Sequence, residues 1–226
     1  MTGEPDYRML REAIPLKPFY MARHGQTEAN RDKVFSGQQE TPLTELGQHQ
    51  AQRLATTVQQ ASVRIEHIVH SDLSRAQETA LPVAKLLGLP TIEHKAWKEI
   101  DYGDWQGQPH EKIMPMRKEG VPPPNGETDD LFFARIAGAA MGTLVSYDNP
   151  LIVCHGGCFR AFAGIYGLEA RNFPNAVLHE FVPAPERKVF PWEVYIYDPD
   201  NGERLLSPQY EDALESVLSA TEKRAL

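Results

Sequence analysis

Phe19-Tyr20-Met21-Ala22-Arg23-His24-Gly25-Gln26-Thr27 is the stretch on which the reading of this chain turns. Its apolar start reads as a buried strand. Its Arg-His-Gly end is where that strand delivers an imidazole to its C-terminal tip, with a glycine that lets the backbone turn sharply. A second run, Leu151-Ile152-Val153-Cys154, ends the same way in His155-Gly156-Gly157. In open α/β sheets that edge is where ligands bind. Two strand-end histidines with an arginine beside one of them predict a phosphate site in which one imidazole is free to attack.

Outward from these two strands, the chain divides into an N-terminal extension, 1–17, and a single domain, 18–226. The first strand covers about 18–22, and Asn30 to Pro42 reads as loop. Thr44 caps a helix from about Glu45 to Gln60 whose inner side carries Leu46, Leu54 and Val58. A strand over Ile65–Val69 hands over at Ser71-Asp72 to a helix from Leu73 to Leu87, with Gly88 at its C-terminal stop. Ile92 marks a short strand. Glu99 to Glu127, rich in Gly, Pro and charge, reads as an active-site insertion with little regular structure. Thr128-Asp129-Asp130 opens a helix from about Leu131 to Tyr147. The 151–154 strand feeds a helix near 158–167. Glu193–Tyr197 is a final strand, and Leu205–Ala225 holds a terminal helix. Strands alternate with helices almost throughout, so the fold class is α/β with a mainly parallel sheet.

Composition bounds the partners. A net charge of −8 over 226 residues argues against non-specific binding to nucleic acid or an anionic membrane. It does not exclude an anionic small molecule, because a local field can oppose the global one. No apolar run reaches the length of a bilayer span, and Met1 to Lys17 lacks the apolar core of a secretory signal, so the expected location is cytoplasmic. Cys154 and Cys158 read as buried reduced thiols rather than a disulfide. His67 and His70 point to opposite faces of a strand and the other histidines are scattered, so neither a metal nor a cofactor is expected.

A phosphate monoester is hydrolysed extremely slowly without help. An enzyme without metal needs fixed positive charge around the phosphoryl oxygens, an in-line nucleophile and an acid for the leaving oxygen. His24 fits the nucleophile, provided its second ring nitrogen donates to a fixed acceptor such as a backbone carbonyl. Arg23 offers a planar fork to two oxygens. Arg75 lies in the first turn of a helix after a strand, where side chain and helix N-terminus face an anion together. His155 and the Gly156 amide add donors, and Asn30 and Thr27 supply neutral ones. Glu99 is the candidate acid, with burial beside Trp97 or Trp105 favouring its protonated form; Asp101 and Asp104 are rivals. His110, Lys112 and Arg117 are candidates for reading the far end of a substrate.

Five segments in this order resemble the histidine phosphatase superfamily, which includes the cofactor-dependent phosphoglycerate mutases and many small-metabolite phosphatases. They are Ala22–Thr27 with Asn30; Gly37 through Pro42–Gly47; Ser71–Ala80; Glu99 through Tyr102-Gly103 to Gly107; and His155-Gly156-Gly157. The resemblance spans about Lys17 to Tyr197. It implies a phosphoglycerate mutase-like, three-layer α/β/α sandwich in which His24 becomes a phosphohistidine. Arg23, Arg75 and His155 would complete the phosphate pocket, Asn30 would assist, and Glu99 would serve as proton donor and then base. Cys154 stands where the family commonly has serine. The insertion is shorter than in the glycolytic mutases and lacks their arginine pair, Arg117-Lys118 being the nearest substitute. Pro122–Thr128 resembles the Pro-x-Gly-Glu-Ser/Thr element of the phosphatases. The expected activity is therefore hydrolysis of small phosphorylated metabolites by a monomer or homodimer. A 2,3-bisphosphoglycerate-dependent mutase is the alternative, and a non-catalytic phosphate-binding protein comes third.

Overall fold

β1 (Phe19–Arg23), β2 (His67–His70), β3 (Thr91–Glu93) and β4 (Pro150–Cys154) run parallel, while β5 (Leu178–Pro183), β6 (Trp192–Tyr197) and β7 (Arg204–Leu206) join antiparallel. The computed structural model describes residues 7–224. The strand order is β3-β2-β4-β1-β5-β6-β7, which places β1 and β4 side by side in the middle of the sheet.

Side-chain alternation along these strands produces two cores. Phe19 and Met21 of β1 and Ile152 and Cys154 of β4 face one side. There they pack against α6 (Asp129–Ser146), α7 (Gly156–Gly164) and α8 (Pro208–Arg224) through Phe132, Ile136, Phe159, Phe162 and Tyr210. Tyr20, Ala22, Leu151 and Val153 face the other side. They meet α3 (Glu45–Ala61) and α4 (Ser74–Leu87) through Leu54, Val58, Ala76, Ala80 and Val83. Helices therefore cover both faces of a sheet whose central strands are parallel, the expected three-layer arrangement.

The helix signals act as read. Thr44 accepts from the Gly47 amide and Thr128 from the Leu131 amide, and Gly88 ends α4 in the left-handed conformation. Leu46 is a correction: it is half exposed at 51%. The inward stripe of α3 is Gly47, Ala51, Leu54, Ala55 and Val58. It starts at Gly47 because that position lies against the Gln26 carbonyl, where a Cβ would stand 2.0 Å from the oxygen.

Further differences concern elements. The helix expected near 158–167 begins at Gly156, so the His-Gly-Gly turn is its first turn. The insertion expected to be irregular holds α5 (His110–Lys118), which buries Ile113 beside Phe35 and Trp105. The expected terminal helix from Leu205 is preceded by β7, an edge strand paired to β6, and its residue 225 lies outside the described residues. Of the expected extension, residues 1–6 lie outside the described residues as well. Tyr7–Glu12 forms α1 against α6, Ile14 is buried, and the Lys17 carbonyl accepts from Trp192 Nε1 at 3.2 Å.

Candidate active site

Four of the predicted residues follow the C-terminal ends of the four parallel strands: His24 after β1, Arg75 after β2, Glu99 after β3 and His155 after β4. Register brings the two histidines together. Arg23 pairs with Cys154, and the His24 amide donates to the Cys154 carbonyl at 2.9 Å. The two imidazole rings consequently lie 5.1 Å apart between centroids. The Ser71 amide donates to the Val153 carbonyl at 3.0 Å, which sets the Ser71 hydroxyl 2.9 Å from His155 Nε2.

His24 Nδ1 lies 2.7 Å from the Gly25 carbonyl oxygen. A carbonyl can only accept, so Nδ1 carries the hydrogen and Nε2 keeps its lone pair. Burial, reinforced by Arg75 and Arg23, holds the His24 pKa well below the usual histidine value, so the ring is neutral at pH 7. The Gly25 turn is fixed by a hydrogen bond from the Gly25 amide to Thr79 Oγ1 at 2.9 Å and by close approach to Gly47, where a Cβ on Gly25 would stand 2.4 Å from the carbonyl oxygen.

The two guanidinium groups are held by carbonyls rather than carboxylates, which orients them without neutralising them. Arg23 Nη1 donates to Phe173 O at 2.8 Å. Arg75 Nη1 and Nη2 donate to Gln39 O at 2.8 Å and Gly37 O at 2.7 Å. Arg23 Nε, Arg75 Nε and His155 Nδ1 are buried with no protein hydrogen-bond partner. Buried donors left in this way are expensive, and an anion in the cavity would satisfy the two arginine Nε–H groups. A cavity of about 320 Å³ is lined by Arg23, His24, Asn30, Arg75, Glu99 and Gly156, among others. His155 is not among its lining residues; the ring lies beside His24 and against the Ser71 hydroxyl.

Glu99 accepts from two backbone amides, Ile100 N at Oε1 and Gly157 N at Oε2, both at 2.9 Å. A Cβ on Gly157 would stand 1.9 Å from Glu99 Oε1, so the second glycine of His-Gly-Gly makes room for the carboxyl. The rivals are occupied elsewhere: Asp101 accepts from the Gly103 amide and Asp104 from Asn125 Nδ2. Trp97 is a core residue whose Nε1 donates to Thr143, and Trp105 packs with Phe35 and Ile113.

Asn30 lines the cavity, but its Oδ1 accepts from the Thr27 amide, so only its Nδ2 remains for a ligand. Thr27 is fully buried and spends its hydroxyl capping α2 (Glu28–Arg31), not facing the cavity. Of the insertion's candidates, His110 lines the cavity. Arg117 instead pairs with Asp129 at 2.9 Å over the Tyr102 ring, and Lys112 reaches Gln108.

The structure adds residues that sequence reading missed. The loop after α7 clasps the end of β1: Asn175 Nδ2 donates to His24 O at 2.7 Å and the Ala176 amide to Arg23 O at 2.8 Å. Ala176 does so at φ +51°, a costly conformation for alanine. Tyr102, its pKa pushed up to about 12 by burial and then by Glu99, and Arg160 also line the cavity. Pro174-Asn175 is a turn signal and no more, so nothing in the sequence marks the clasp. Among the described residues, no group of three or more His, Cys, Asp or Glu side chains is placed to hold a metal, and no helix is long and apolar enough to cross a membrane.

The sequence model of the histidine phosphatase superfamily (branch 1) matches residues 19–182. A 2,3-bisphosphoglycerate-dependent phosphoglycerate mutase of Methylobacterium sp. (strain 4-46) is 31% identical over 72% of this chain and 87% of the relative. The adenosylcobalamin/alpha-ribazole phosphatase of Escherichia coli (strain K12) is 33% identical over 61% of this chain and 73% of the relative. Among solved structures, a mycobacterial glucosyl-3-phosphoglycerate phosphatase complexed with VO3 superposes with a TM-score of 0.68 at 26% identity, covering 79% of this chain and 97% of the other.

Proposed function

The chain belongs to the histidine phosphatase superfamily, whose members are phosphatases or mutases, and from that membership we propose that it is a metal-independent phosphatase of small phosphorylated metabolites. The observation that carries the reading is the fixed state of His24. Its Nδ1–H is committed to the Gly25 carbonyl, and the ring borders a cavity walled by two carbonyl-held guanidinium groups.

In the first step His24 Nε2 attacks phosphorus in line with the ester oxygen. The N–P bond forms as the P–O bond breaks, and Glu99 passes its proton to the departing oxygen. Arg23 and Arg75 hold the phosphoryl oxygens, and the Gly25 carbonyl stabilises the charge that develops on the imidazole. In the second step the Glu99 carboxylate takes a proton from water, whose oxygen attacks phosphorus and releases His24. The sum is ester plus water giving alcohol plus inorganic phosphate.

The test is release of p-nitrophenol from p-nitrophenyl phosphate in the presence of chelator, together with acid quenching for an acid-labile phosphoenzyme. His24→Ala is expected to abolish the phosphoenzyme and lower turnover by a factor on the order of 10⁴ or more. Full activity in that variant would refute the nucleophile assignment. The name of the Methylobacterium relative raises the mutase reading. Isomerisation of phosphoglycerate that depends on bisphosphoglycerate, without net release of phosphate, would replace the hydrolytic reading with that one.

A further inference from the structure

Lys98 to Tyr102 carries Glu99 yet forms neither helix nor strand, so its carbonyl groups have no ladder to satisfy them. Arg135 of α6 supplies most of the side-chain donors, beside Gln38 Nε2 on Glu99 O at 3.1 Å and Cys158 Sγ on Lys98 O at 3.5 Å. Arg135 Nη1 donates to Ala96 O at 3.0 Å and Lys98 O at 2.9 Å, and its Nη2 to Glu99 O at 3.1 Å. Its other edge meets Glu127 in two bonds, Nε to Oε1 at 2.7 Å and Nη2 to Oε2 at 2.5 Å. Glu127 is itself tied to the same segment. Its Oε2 accepts from the Asp101 amide at 2.9 Å and its own amide donates to Asp101 O at 2.8 Å. Gly126 permits that approach, since a Cβ there would stand 2.4 Å from Asp101 O.

Three carbonyls and one bidentate carboxylate require a planar group with several fixed donors, which arginine has and lysine lacks. Arg135 does not line the cavity, so it has no direct contact to offer a substrate there. What it holds is the backbone of the residue whose carboxyl is pinned at its far end by the Gly157 amide of α7. The acid is thereby strung between α6 and α7, and a shift of its backbone by about 1 Å would misplace the proton it delivers.

We infer that Arg135, braced by Glu127, is a positioning residue that sets the Glu99 carboxyl at the leaving oxygen. The inference rests on the phosphatase reading and on Glu99 as its acid. It assigns a task to the Gly-Glu-Thr element at 126–128, which makes no other contribution to the site.

The experiment compares an alkyl phosphate, which needs an acid for its poor leaving group, with p-nitrophenyl phosphate, which hardly does. Arg135→Lys and Glu127→Gln are each expected to lower kcat/KM, which reports phosphoenzyme formation, on the alkyl ester by about tenfold to a hundredfold. The kcat/KM of the aryl ester should stay close to wild type, while kcat on both falls to the extent that Glu99 is also misplaced as base for the shared phosphoenzyme. In Arg135→Lys/Glu99→Gln the Arg135 change should add no further loss, because residues acting through one group are non-additive. Thermal unfolding followed by circular dichroism checks that each variant folds, and Arg135→Gln, which retains two N–H donors, is the second probe. Equal losses of kcat/KM on both esters, or losses that add to those of Glu99→Gln, would overturn the inference and mark Arg135 as merely structural. If Glu99→Gln alone shows no dependence on leaving group, the acid assignment itself falls and this inference with it. If Glu99→Gln is selective and the Arg135 variants are not, the inference alone falls.

Discussion

At the scale of single residues, the decisive state is the protonation of His24. An ordinary histidine, with a pKa near 6.5, is mostly charged at pH 6. His24 is pulled well below that by burial and by two arginines, so it should remain neutral there. Nitrogen-15 spectra at about pH 6 are expected to show the Nδ1–H tautomer; an imidazolium signal for His24 would contradict the site as described. Gly157 offers a second residue-scale prediction. In Gly157→Ala the new methyl would enter the space of Glu99 Oε1, so the carboxyl must move. The variant should lose kcat/KM on alkyl phosphates well before aryl phosphates, and equal retention of both would show that the carboxyl has slack. His24, Arg23, Arg75 and Glu99 were legible because each stands at the end of an apolar run or at the head of a helix, where side chains of this kind are brought to one edge. Phe173 O, Asn175 and Arg135 were not. They act through backbone carbonyls or on them, and a carbonyl has no letter in the sequence.

At the scale of elements, legibility followed how strongly each segment was punctuated. α3, α4 and α6 carry caps at Thr44, Gly88 and Thr128 and buried faces at helical spacing, and their bounds came close to the expected ones. β5 escaped notice because Leu178-His179-Glu180-Phe181-Val182-Pro183 carries a buried histidine in an apolar register and ends in proline. α5 escaped because Gly, Pro and charge surround it and Ile113 is its only buried residue. The cap of α6 has consequences beyond that helix, since α6 carries Arg135. Thr128→Ala removes the acceptor of the Leu131 amide and should cost about 1 kcal/mol. Chemical denaturation is expected to show that loss with the denaturant slope unchanged, as for a local change in a native state of the same compactness. An unchanged midpoint would mean that Asp129 and Asp130 suffice to start the helix.

At the scale of the whole molecule, one physical demand runs through the fold. A chain of net charge −8 buries cations and imidazoles around a cavity at one edge of its sheet, and that arrangement ties stability to pH. His24 and His155 lie well below the usual histidine pKa, and burial pushes His179 down to about 4. Each is neutral in the fold and takes a proton once unfolded below about pH 6.5. The unfolded chain therefore binds more protons, so stability is complete above that pH and declines as the pH falls from 6.5 toward the folded values. His179 is the cleanest probe because it stands outside the cavity, packed against the Phe159 and Phe173 rings with Nδ1 on the Val177 carbonyl. Its Nε2 is buried with no partner, so an aromatic hydrocarbon gives up only the Val177 bond. At about pH 5 the wild type should have lost roughly 2 kcal/mol through this one residue, a loss that His179→Phe would not suffer. Urea unfolding of both proteins is expected to give stabilities within about 1 kcal/mol of each other at pH 7.5. The comparison should shift in favour of the variant as the solution is made acid. Parallel pH profiles would mean that His179 takes up its proton without unfolding, and the core around β5 would then have to hold a charge that burial strips of its water.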